Sequence, residues 1–392
     1  MRRSTFPKFL IASFSARAAA LPLLQTRFRA RVCYDGIGFH GVQKNRHPLD
    51  GTELRTVLST LEQSLWPALD QQVKFRMASR TDAGVSASGQ VMTFDITSAV
   101  QEAEPLVRVN GTAVGVSELA DALNSVLPPE LKISEVVAVP RRFDVVRDCK
   151  WKRYRYRLPS CEPGADDEEG SRVLKVVASH AARAERQRLA QAAEAAQDEA
   201  APLTDRQRRR QRDRDRRRQR ETRDAAPLAI TDVEAMARAA ALLEGTHDFG
   251  AFQASRGDQK STVRTIFRCA LEPRAMGDGV AGDGTSADGI GREQAYDIVI
   301  EGDGFLYKMV RLIAGTLVTV GMGLAPPEAV LSALSSTGSF CPTPSASSSG
   351  MSGPRRQRGV IGVGPTLPPE RLCLEHIEYD EAHARSHSPI NP

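Results

Sequence analysis

Hydrophobic and polar positions follow two different periods along this chain, and each period predicts its own kind of element. Alternation with period two predicts strands at 29–34, 73–77, 90–96, 133–139, 151–158, 294–301 and 372–379. Apolar spacings of three and four predict helices from Leu54 to Leu65, over 119–126 and over 305–320. Strands that alternate with helices in this way predict an α+β or α/β sheet protein.

A further helix is predicted to begin after residue 231. Thr231-Asp232-Val233-Glu234 has the form of a capping box, in which Thr231 would cap the helix. Val233, Met236, Ala240 and Leu243 then share one face of that helix.

Three polar stretches interrupt the periodic pattern and are predicted to be surface insertions. Residues 160–229 are rich in Ala, Glu, Gln and Arg, residues 274–294 in Gly and Asp, and residues 335–359 in Ser, Gly and Pro. The first stretch predicts an isolated charged helix or a disordered loop, and the other two predict disorder. They divide the chain into an N-terminal half at 30–159, a C-terminal half at 230–380, and a tail at 381–392. The nearly pure Arg and Gln block at 206–220 indicates a solvated insertion, with RNA contact as the alternative.

Residues 1–29 are rich in Arg, Ser and Ala and contain no acidic residue. Such a segment can form a basic amphipathic helix and is typical of a transit peptide for a mitochondrion or a plastid. The alternative is a disordered basic extension, in which case the protein stays in the cytoplasm or the nucleus.

Charge is unevenly distributed, and this changes how the net value of +5 is interpreted. Residues 1–34 hold seven Lys or Arg and no acid, and residues 206–224 hold eleven Arg against four acids, so the rest of the chain carries −9. Phosphate contacts are therefore expected from local patches. The six cysteines form no C-x-x-C pair, which argues against a zinc ribbon or a disulfide scaffold. No run of eighteen apolar residues predicts a membrane-spanning helix.

Asp82 is the candidate acid of the chain. It lies in the polar run Ser79-Arg80-Thr81-Asp82-Ala83-Gly84-Val85, between two predicted strands. Gly84 permits a sharp turn that would hold the carboxylate at the mouth of a sheet, and Arg80 could pair with phosphate or with the acid. Two other interpretations remain: an Asp that caps its own turn, and one loop of an aspartic-protease dyad. The protease interpretation is weak for two reasons. The triplet Asp82-Ala83-Gly84 has no hydroxyl residue after the Asp, and no second loop of this kind stands out in the chain.

The strand at 150–157 interleaves basic and aromatic residues. Period-two alternation places Lys152, Tyr154 and Tyr156 on one face and Arg153, Arg155 and Arg157 on the other. An aromatic ring beside cations can stack a splayed base and hold its phosphates. A half-buried strand with a solvated charged face fits the pattern equally well.

Arg311 lies inside the apolar helical run that starts at Phe305. A buried guanidinium needs a partner, so we expect a carboxylate to face it, and Asp82 is the obvious candidate. The alternative is an Arg at a helix end whose head reaches water.

Several ordered motifs between residues 30 and 380 resemble the tRNA pseudouridine synthase A (TruA-like) family. They keep the order and the approximate spacing of that family, interrupted by the three insertions. The matching residues are Tyr34-Asp35-Gly36, Phe39-His40-Gly41-Val42-Gln43, Arg80-Thr81-Asp82-Ala83-Gly84-Val85, Leu123-Asn124, Leu127-Pro128, Phe143, Lys152-Arg153-Tyr154-Arg155-Tyr156, Gly245-Thr246-His247-Asp248-Phe249, Phe252, Val263-Arg264-Thr265-Ile266, Gly304-Phe305-Leu306, Met309-Val310-Arg311, Gly315, Pro365-Thr366 and Leu372.

The resemblance implies two ferredoxin-like α/β halves whose sheets join into one mixed, mainly antiparallel sheet with a central basic cleft. It implies that Asp82 is the catalytic aspartate, that Tyr154 stacks on the target base and that Arg311 pairs with the aspartate. It also implies RNA binding by a set of basic residues, namely Arg80, Lys152, Arg153, Arg155 and Arg264. The expected substrate is uridine in tRNA, in the anticodon stem-loop. A homodimer and no metal or organic cofactor are expected as well.

This chain departs from the family pattern at several positions. Ser86 stands where a His is usual after the catalytic Gly-Val, Val145-Val146 replaces a small residue and an Arg, and Val42 replaces a Trp. These departures leave the choice of RNA target open. An inactive relative that still binds RNA is the alternative function.

Overall fold

The computed structural model describes residues 23–101, 104–159, 168–197, 229–254, 261–274, 295–335 and 363–380. Its strands are β1 (Leu23–Tyr34), β2 (Arg76–Met77), β3 (Ser86–Gln101), β4 (Glu104–Val109), β5 (Thr112–Val114), β6 (Leu131–Val139), β7 (Cys149–Arg157), β8 (Gly245–Asp248), β9 (Val263–Arg274), β10 (Ala295–Gly302) and β11 (Leu372–Tyr379). Its helices are α1 (Val57–Leu69), α2 (Val116–Asn124), α3 (Glu168–Gln197), α4 (Val233–Ala241), α5 (Met309–Gly321) and α6 (Ala329–Ser335).

One sheet runs through the described residues and carries strands from both halves of the chain. Its main path is β5-β4-β3-β11-β7-β10-β9-β8, while β1 pairs with β3 and β6, and β2 pairs with β3. The pairings are antiparallel except that of β11 with β3. The predicted α+β class, with a mixed and mainly antiparallel sheet, is therefore confirmed.

β11, from the C-terminal half of the chain, lies between β3 and β7 of the N-terminal half and pairs in parallel with β3. This parallel pairing joins Cys373 to Ser86 and Leu374 to Ala87, only a few residues after Asp82. The backbones approach so closely here that a Cβ on Gly89 would lie 2.0 Å from the carbonyl oxygen of Glu375. A side chain at this position would push the two halves apart. The junction therefore fixes the start of β3, and with it the loop that carries Asp82.

The strands near the junction each bury one face. In β1, Phe28, Ala30 and Val32 are fully buried, while the residues between them are partly exposed. This alternation follows from the pleat, which sends successive side chains to opposite faces. Helix α5, in contrast, is buried along almost its whole length, as its apolar sequence predicted. No helix of the described ranges is long and apolar enough to cross a membrane.

β1 begins six residues earlier than predicted, inside the segment expected to be a transit peptide or an extension. Its ladder with β3 starts at Leu23 opposite Ala99 and continues to Tyr34. Leu23 and Leu24 are exposed, so the strand's first residues carry no apolar alternation that the sequence could show. Backbone pairing with a long partner strand forms this part of β1. Residues 1–22 lie outside the described residues.

Helix α3 occupies the first part of the stretch predicted as a charged insertion. Val173, Leu174 and Val177 are buried, and α3 packs against α5. The prediction of an isolated helix or a disordered loop is therefore wrong for these turns. An apolar stripe of only three residues is hard to recognise among many charges. The Arg block at 206–220, most of the two other predicted insertions and the tail at 381–392 lie outside the described residues.

Some local predictions need correction. Asp232, and not Thr231, caps α4, because its side chain accepts a hydrogen bond from Ala235 N at 2.7 Å. Leu54 lies before α1, which Thr56 caps in a capping box with Ser59. Only Arg76–Met77 of the predicted strand at 73–77 is a strand. Strands β4, β5, β8 and β9 were not predicted; in β9, partly exposed residues interrupt the burial pattern.

Candidate active site

The loop that carries Asp82 is clamped from both halves of the chain. Gly84 has a φ of +80°, a left-handed conformation that favours glycine, and a Cβ there would lie 2.9 Å from Cγ of Pro369. Gly84 N donates to Phe39 O at 3.2 Å, and Val85 N donates to Asp82 O at 3.2 Å. The turn therefore presents the Asp82 side chain from a fixed backbone.

Asp82 forms an ion pair with Arg311 from the other half of the chain. Nη1 of Arg311 lies 3.0 Å from Oδ2 of Asp82, and Nε of Arg311 donates to Leu367 O at 2.6 Å. The side chain of Arg311 is 11% exposed and that of Asp82 is 25% exposed. The expectation that a carboxylate faces Arg311 is confirmed. The carboxylate remains partly open to solvent and therefore to a substrate.

Tyr154 lies on the face of β7 that points toward this loop. Its hydroxyl is 2.9 Å from Oγ of Ser79, and its ring meets the Phe305 ring edge to face at 5.2 Å. Burial raises the pKa of Tyr154 to about 12, the hydrogen bond with Ser79 opposes this shift, and the charge of Asp82 adds to it. The phenol is therefore neutral near pH 7 and offers an aromatic surface beside the carboxylate.

Arg80 is exposed next to Asp82 and contacts Gln43. With the Gln43 amide turned so that its oxygen faces the guanidinium, that oxygen accepts from Nε at 2.9 Å and from Nη2 at 3.3 Å. Among the described residues, no carboxylate forms a salt bridge with Arg80. Its positive charge is therefore held in place by a neutral partner and stays available to an anion.

Lys152 shares a face of β7 with Tyr154, as predicted, but its ammonium is turned into the protein. Nζ donates to the carbonyl of Ala78 at 2.9 Å, and burial lowers the pKa of this group. The bond ties β7 to the segment just before the catalytic loop. This position fits a supporting contact better than the predicted contact with RNA.

Arg153 and Arg155 lie on the opposite face of β7, where each meets carboxylates. Arg153 pairs with Glu301 at 2.7 Å. Arg155 contacts Glu375, Glu272 at 2.9 Å and Asp297 at 3.5 Å. Both guanidinium groups therefore already have carboxylate partners, and RNA binding by these two residues stays a prediction.

Arg264 is the second residue of β9 and lies beside Gly304, in the segment that leads to α5. Its Nη1 donates to Ser261 O at 3.0 Å and Val263 O at 2.6 Å. A Cβ on Gly304 would lie 3.4 Å from its Nε, and Gly304 precedes Phe305, which touches Tyr154. Arg264 therefore lies beside the residue that directly precedes Phe305, the ring that packs against Tyr154.

The structure describes all three departures from the family pattern. Ser86 Oγ accepts from Gly36 N at 3.0 Å and donates to Asp35 Oδ1 at 3.4 Å, so it fastens the end of the catalytic loop to the turn after β1. Val42 is buried in the core. Of the pair Val145-Val146, the first is buried and the second is exposed.

Sequence reasoning missed several side chains that hold the site together. Ser79 and Thr81 flank Arg80 and are buried, and they are linked through Gln90 and Tyr34. A signal was present, since Gln90 is a polar residue on the same period-two face as Met92, Phe94 and Ile96. In the described ranges, no three His, Cys, Asp or Glu side chains come together as metal ligands.

Comparisons of the sequence with known proteins identify a class of RNA-modifying enzymes. A family model described as "tRNA pseudouridine synthase" matches residues 239–352. Two relatives, both called "tRNA pseudouridine synthase A", resemble the chain over most of its length. The protein of Myxococcus xanthus is 32% identical over 324 residues, which are 83% of each chain. That of Geotalea uraniireducens is 28% identical over 346 residues, 88% of this chain and 96% of the relative.

This degree of identity over this length shows the family. The chain belongs to the tRNA pseudouridine synthase A family, and it is an enzyme of the pseudouridine synthase class, an isomerase.

Proposed function

We propose that this enzyme converts uridine to pseudouridine in tRNA, with Asp82 as its catalytic carboxylate. The pair of Asp82 with Arg311, set beside Tyr154 at the junction of the halves, is the observation that carries the proposal. The reaction breaks the bond between N1 of uracil and C1′ of the ribose and forms a bond between C5 and C1′. The proton on C5 is released, and N1 takes up a proton, so the reaction is redox-neutral.

Asp82 and Arg311 have complementary roles in this proposal. The carboxylate acts on the uridine while the glycosidic bond breaks, a step for which a partly exposed acidic side chain is suited. Arg311 holds the carboxylate in one orientation through a charge-assisted hydrogen bond, and the Leu367 carbonyl in turn holds Arg311. A fixed orientation matters because small displacements of a reacting group slow catalysis strongly.

Tyr154 receives the target base in this proposal. A uridine must leave its stack to expose the glycosidic bond. This unstacking costs about 2–4 kcal/mol. An aromatic ring compensates part of this cost by stacking. The neutral, hydrogen-bonded phenol fits a stacking role and not that of a proton donor or acceptor.

RNA contact is assigned to Arg80 and Arg264, which lie around the site. Arg80 is exposed with a neutral partner, and Arg264 lies beside the segment that carries Phe305. Curated relatives named for tRNA support tRNA as the substrate, and the family resemblance supports the anticodon stem-loop as the target region. A second copy of the chain is expected to complete a homodimer, on the same resemblance.

Release of tritium from tRNA labelled at C5 of uridine tests the central proposal. We expect release by the purified wild-type protein, no release by Asp82→Ala, and tRNA affinity of the variant within about threefold of wild type. Asp82→Asn is the matched variant, because it keeps the size of the side chain and removes its charge. Release by Asp82→Ala would refute the assignment of Asp82. Binding without release by the wild-type protein would favour the inactive RNA-binding alternative.

We further propose import into a mitochondrion or a plastid, supported by the acid-free basic segment before β1. A fluorescent protein fused after residue 29 should accumulate in one of these organelles. The same fusion without residues 2–22 should stay in the cytoplasm or the nucleus, and equal distribution of both fusions would contradict the proposal. Light scattering of the purified protein tests the homodimer, which a monomer mass at micromolar concentration would contradict.

A further inference from the structure

Five buried side chains form one hydrogen-bonded network beneath the catalytic loop. They come from β1, the first residues of the loop itself, β3 and β7, and each is at most 8% exposed. The members are Tyr34, Ser79, Thr81, Gln90 and Tyr154. Buried polar groups are costly unless they are hydrogen-bonded, so a network of this size inside a core calls for an explanation.

Gln90 lies at the centre of the network and is fully buried. Its Oε1 accepts from Ser79 N at 3.1 Å, and its Nε2 donates to Ser79 O at 2.9 Å and to Tyr34 Oη at 3.3 Å. The orientation of the amide is fixed, because a backbone N–H can only meet the oxygen and a carbonyl can only meet the nitrogen. Gln90 therefore holds the backbone of Ser79 from both sides.

The network reaches Asp82 through Tyr34. Because the Tyr34 oxygen accepts from Gln90, its own proton is available for Thr81 Oγ1, which lies 2.8 Å away. Thr81 directly precedes Asp82, and Thr81 O accepts from Val42 N at 3.3 Å. The backbone on the N-terminal side of the catalytic carboxylate is thus fixed by the same amide that fixes Ser79.

The second branch reaches Tyr154 through Ser79. The hydroxyls of Ser79 and Tyr154 are 2.9 Å apart, so the phenol is anchored to a residue whose backbone Gln90 holds. The ring of Tyr154 is packed edge to face against Phe305. The hydrogen bond at the hydroxyl and the ring contact together hold the side chain from two directions.

We propose that Gln90 is a positioning residue for the isomerisation, which fixes the catalytic carboxylate of Asp82 and the ring of Tyr154 relative to each other. It touches neither substrate nor reacting atoms. It acts through Tyr34 and Thr81 on one side and through Ser79 on the other. Arg80 projects outward between the two fixed residues, toward solvent, so the same network also sets the position of this RNA contact.

Gln90→Met removes the hydrogen bonds and nearly preserves the volume of the side chain. We expect the single-turnover rate of pseudouridine formation to fall by about 10- to 100-fold, because a misplacement near 1 Å costs that much, while tRNA affinity changes by less than about threefold. Loss in affinity without loss in rate would overturn the proposal.

Asn124 offers a matched control in the same half of the chain. Its amide also brackets a backbone, since Nδ2 donates to Ile133 O at 2.7 Å and Oδ1 accepts from Ile133 N at 2.8 Å, but it lies outside the network. Asn124→Leu should lower the melting temperature and leave the single-turnover rate within about twofold. An equal loss of rate in both variants, measured well below both melting temperatures, would show that Gln90 is merely structural.

Two milder variants test the branches and keep the proposal falsifiable if Gln90→Met does not fold. Tyr34→Phe removes the link to Thr81, and Ser79→Ala removes the link to Tyr154; each should slow the single turnover with unchanged affinity. Added to Gln90→Met, Tyr34→Phe should cause little further loss, because contacts in one network are not additive. Wild-type rates in both single variants would refute the proposal.

This inference rests on the proposed roles of Asp82 and Tyr154, and the two can fail separately. If Asp82→Ala still releases tritium, the proposed function is wrong. If Asp82→Ala is inactive but Gln90→Met and its branch variants turn over at the wild-type rate, only the positioning role of Gln90 is wrong.

Discussion

The two faces of β7 carry residues of similar chemistry with different surroundings. On one face, Tyr154 and Lys152 point toward the catalytic loop and bond to the neutral groups Ser79 and Ala78. On the other face, Arg155 is surrounded by three carboxylates. One short stretch of alternating bases and aromatics therefore supplies the active site with one set of residues and the scaffold with the other.

The difference shows that a cation in a sequence is not yet a phosphate contact. A guanidinium that already forms ion pairs with carboxylates gains little binding free energy when a phosphate replaces those partners. A guanidinium with a neutral partner, such as Arg80 beside Gln43, keeps its charge for an incoming anion. The partners of a basic residue, more than its place in the sequence, decide whether it can bind RNA.

The strongest test compares Arg311, which pairs with the catalytic carboxylate from α5, with Arg155 on the carboxylate-rich face of β7. Arg311→Met should lower the single-turnover rate by about 100-fold or more, because Asp82 loses the group that orients it. Arg155→Met should leave the rate within about threefold. Rapid-quench measurement of pseudouridine formation distinguishes them, and similar losses in the two variants would contradict the division between active site and scaffold.

Tyr154 allows the role of its ring to be separated from that of its hydroxyl. Tyr154→Ala should lower the rate by about 100-fold, because stacking worth about 1–3 kcal/mol per base and the shape of the pocket are lost together. Tyr154→Phe keeps the ring and loses only the bond to Ser79, so we expect a loss below about tenfold. Equal losses, measured as single-turnover rates, would indicate that the hydroxyl takes part in proton transfer.

A smaller effect is expected for RNA affinity and its dependence on salt. Arg80→Met should weaken tRNA binding and reduce the slope of log affinity against log salt by about 0.7–0.9, the value for one phosphate contact. Arg153→Met should change neither quantity, because Glu301 already pairs with that guanidinium. Fluorescence anisotropy over a range of salt concentrations measures both, and an unchanged slope for Arg80→Met would remove it from the RNA contacts.

The smallest effect is expected for Arg155→Met and concerns stability alone. Burial opposes ionisation of Glu272, but hydrogen bonds from Arg268 and Arg155 outweigh it and lower the pKa of this carboxyl below its ordinary value of 4.5. A lowered pKa in the folded state stabilises the protein above the ordinary pKa, and this stabilisation is lost as pH falls through the folded pKa.

The stability difference between wild type and Arg155→Met should therefore be largest near neutral pH and shrink below about pH 4.5. Urea unfolding at a series of pH values measures it. A difference that grows with falling pH would show that the ion pairs of this face do not behave as the structure indicates.

The local pattern of apolar and polar residues predicted many of the strands and helices, and the elements that it missed have clear physical reasons. The alternation at 372–379 predicted β11 with the same bounds, and the apolar run at 305–320 predicted α5 with a start four residues too early. The first residues of β1 and the whole of β9 escaped prediction, since pairing with neighbouring strands forms them without a clear apolar alternation. The turns of α3 around Val173 were obscured by the surrounding charges.

The catalytic loop and the family were recognisable from the chain alone, because the motif around Asp82 is local and the order of the motifs survives insertions. The residues that pair with the site and scaffold side chains were not recognisable in the same way. Asp82 and Arg311 are 229 residues apart, and Arg155 and Glu375 are 220 residues apart. Side-chain alternation tells which residues share a face of a strand, but what lies opposite that face depends on strands and helices brought in from distant parts of the chain. Folding therefore gave Arg311 to the active site and Arg155 to the scaffold, and it placed Gln90, unnoticed in the linear sequence, beneath both Asp82 and Tyr154.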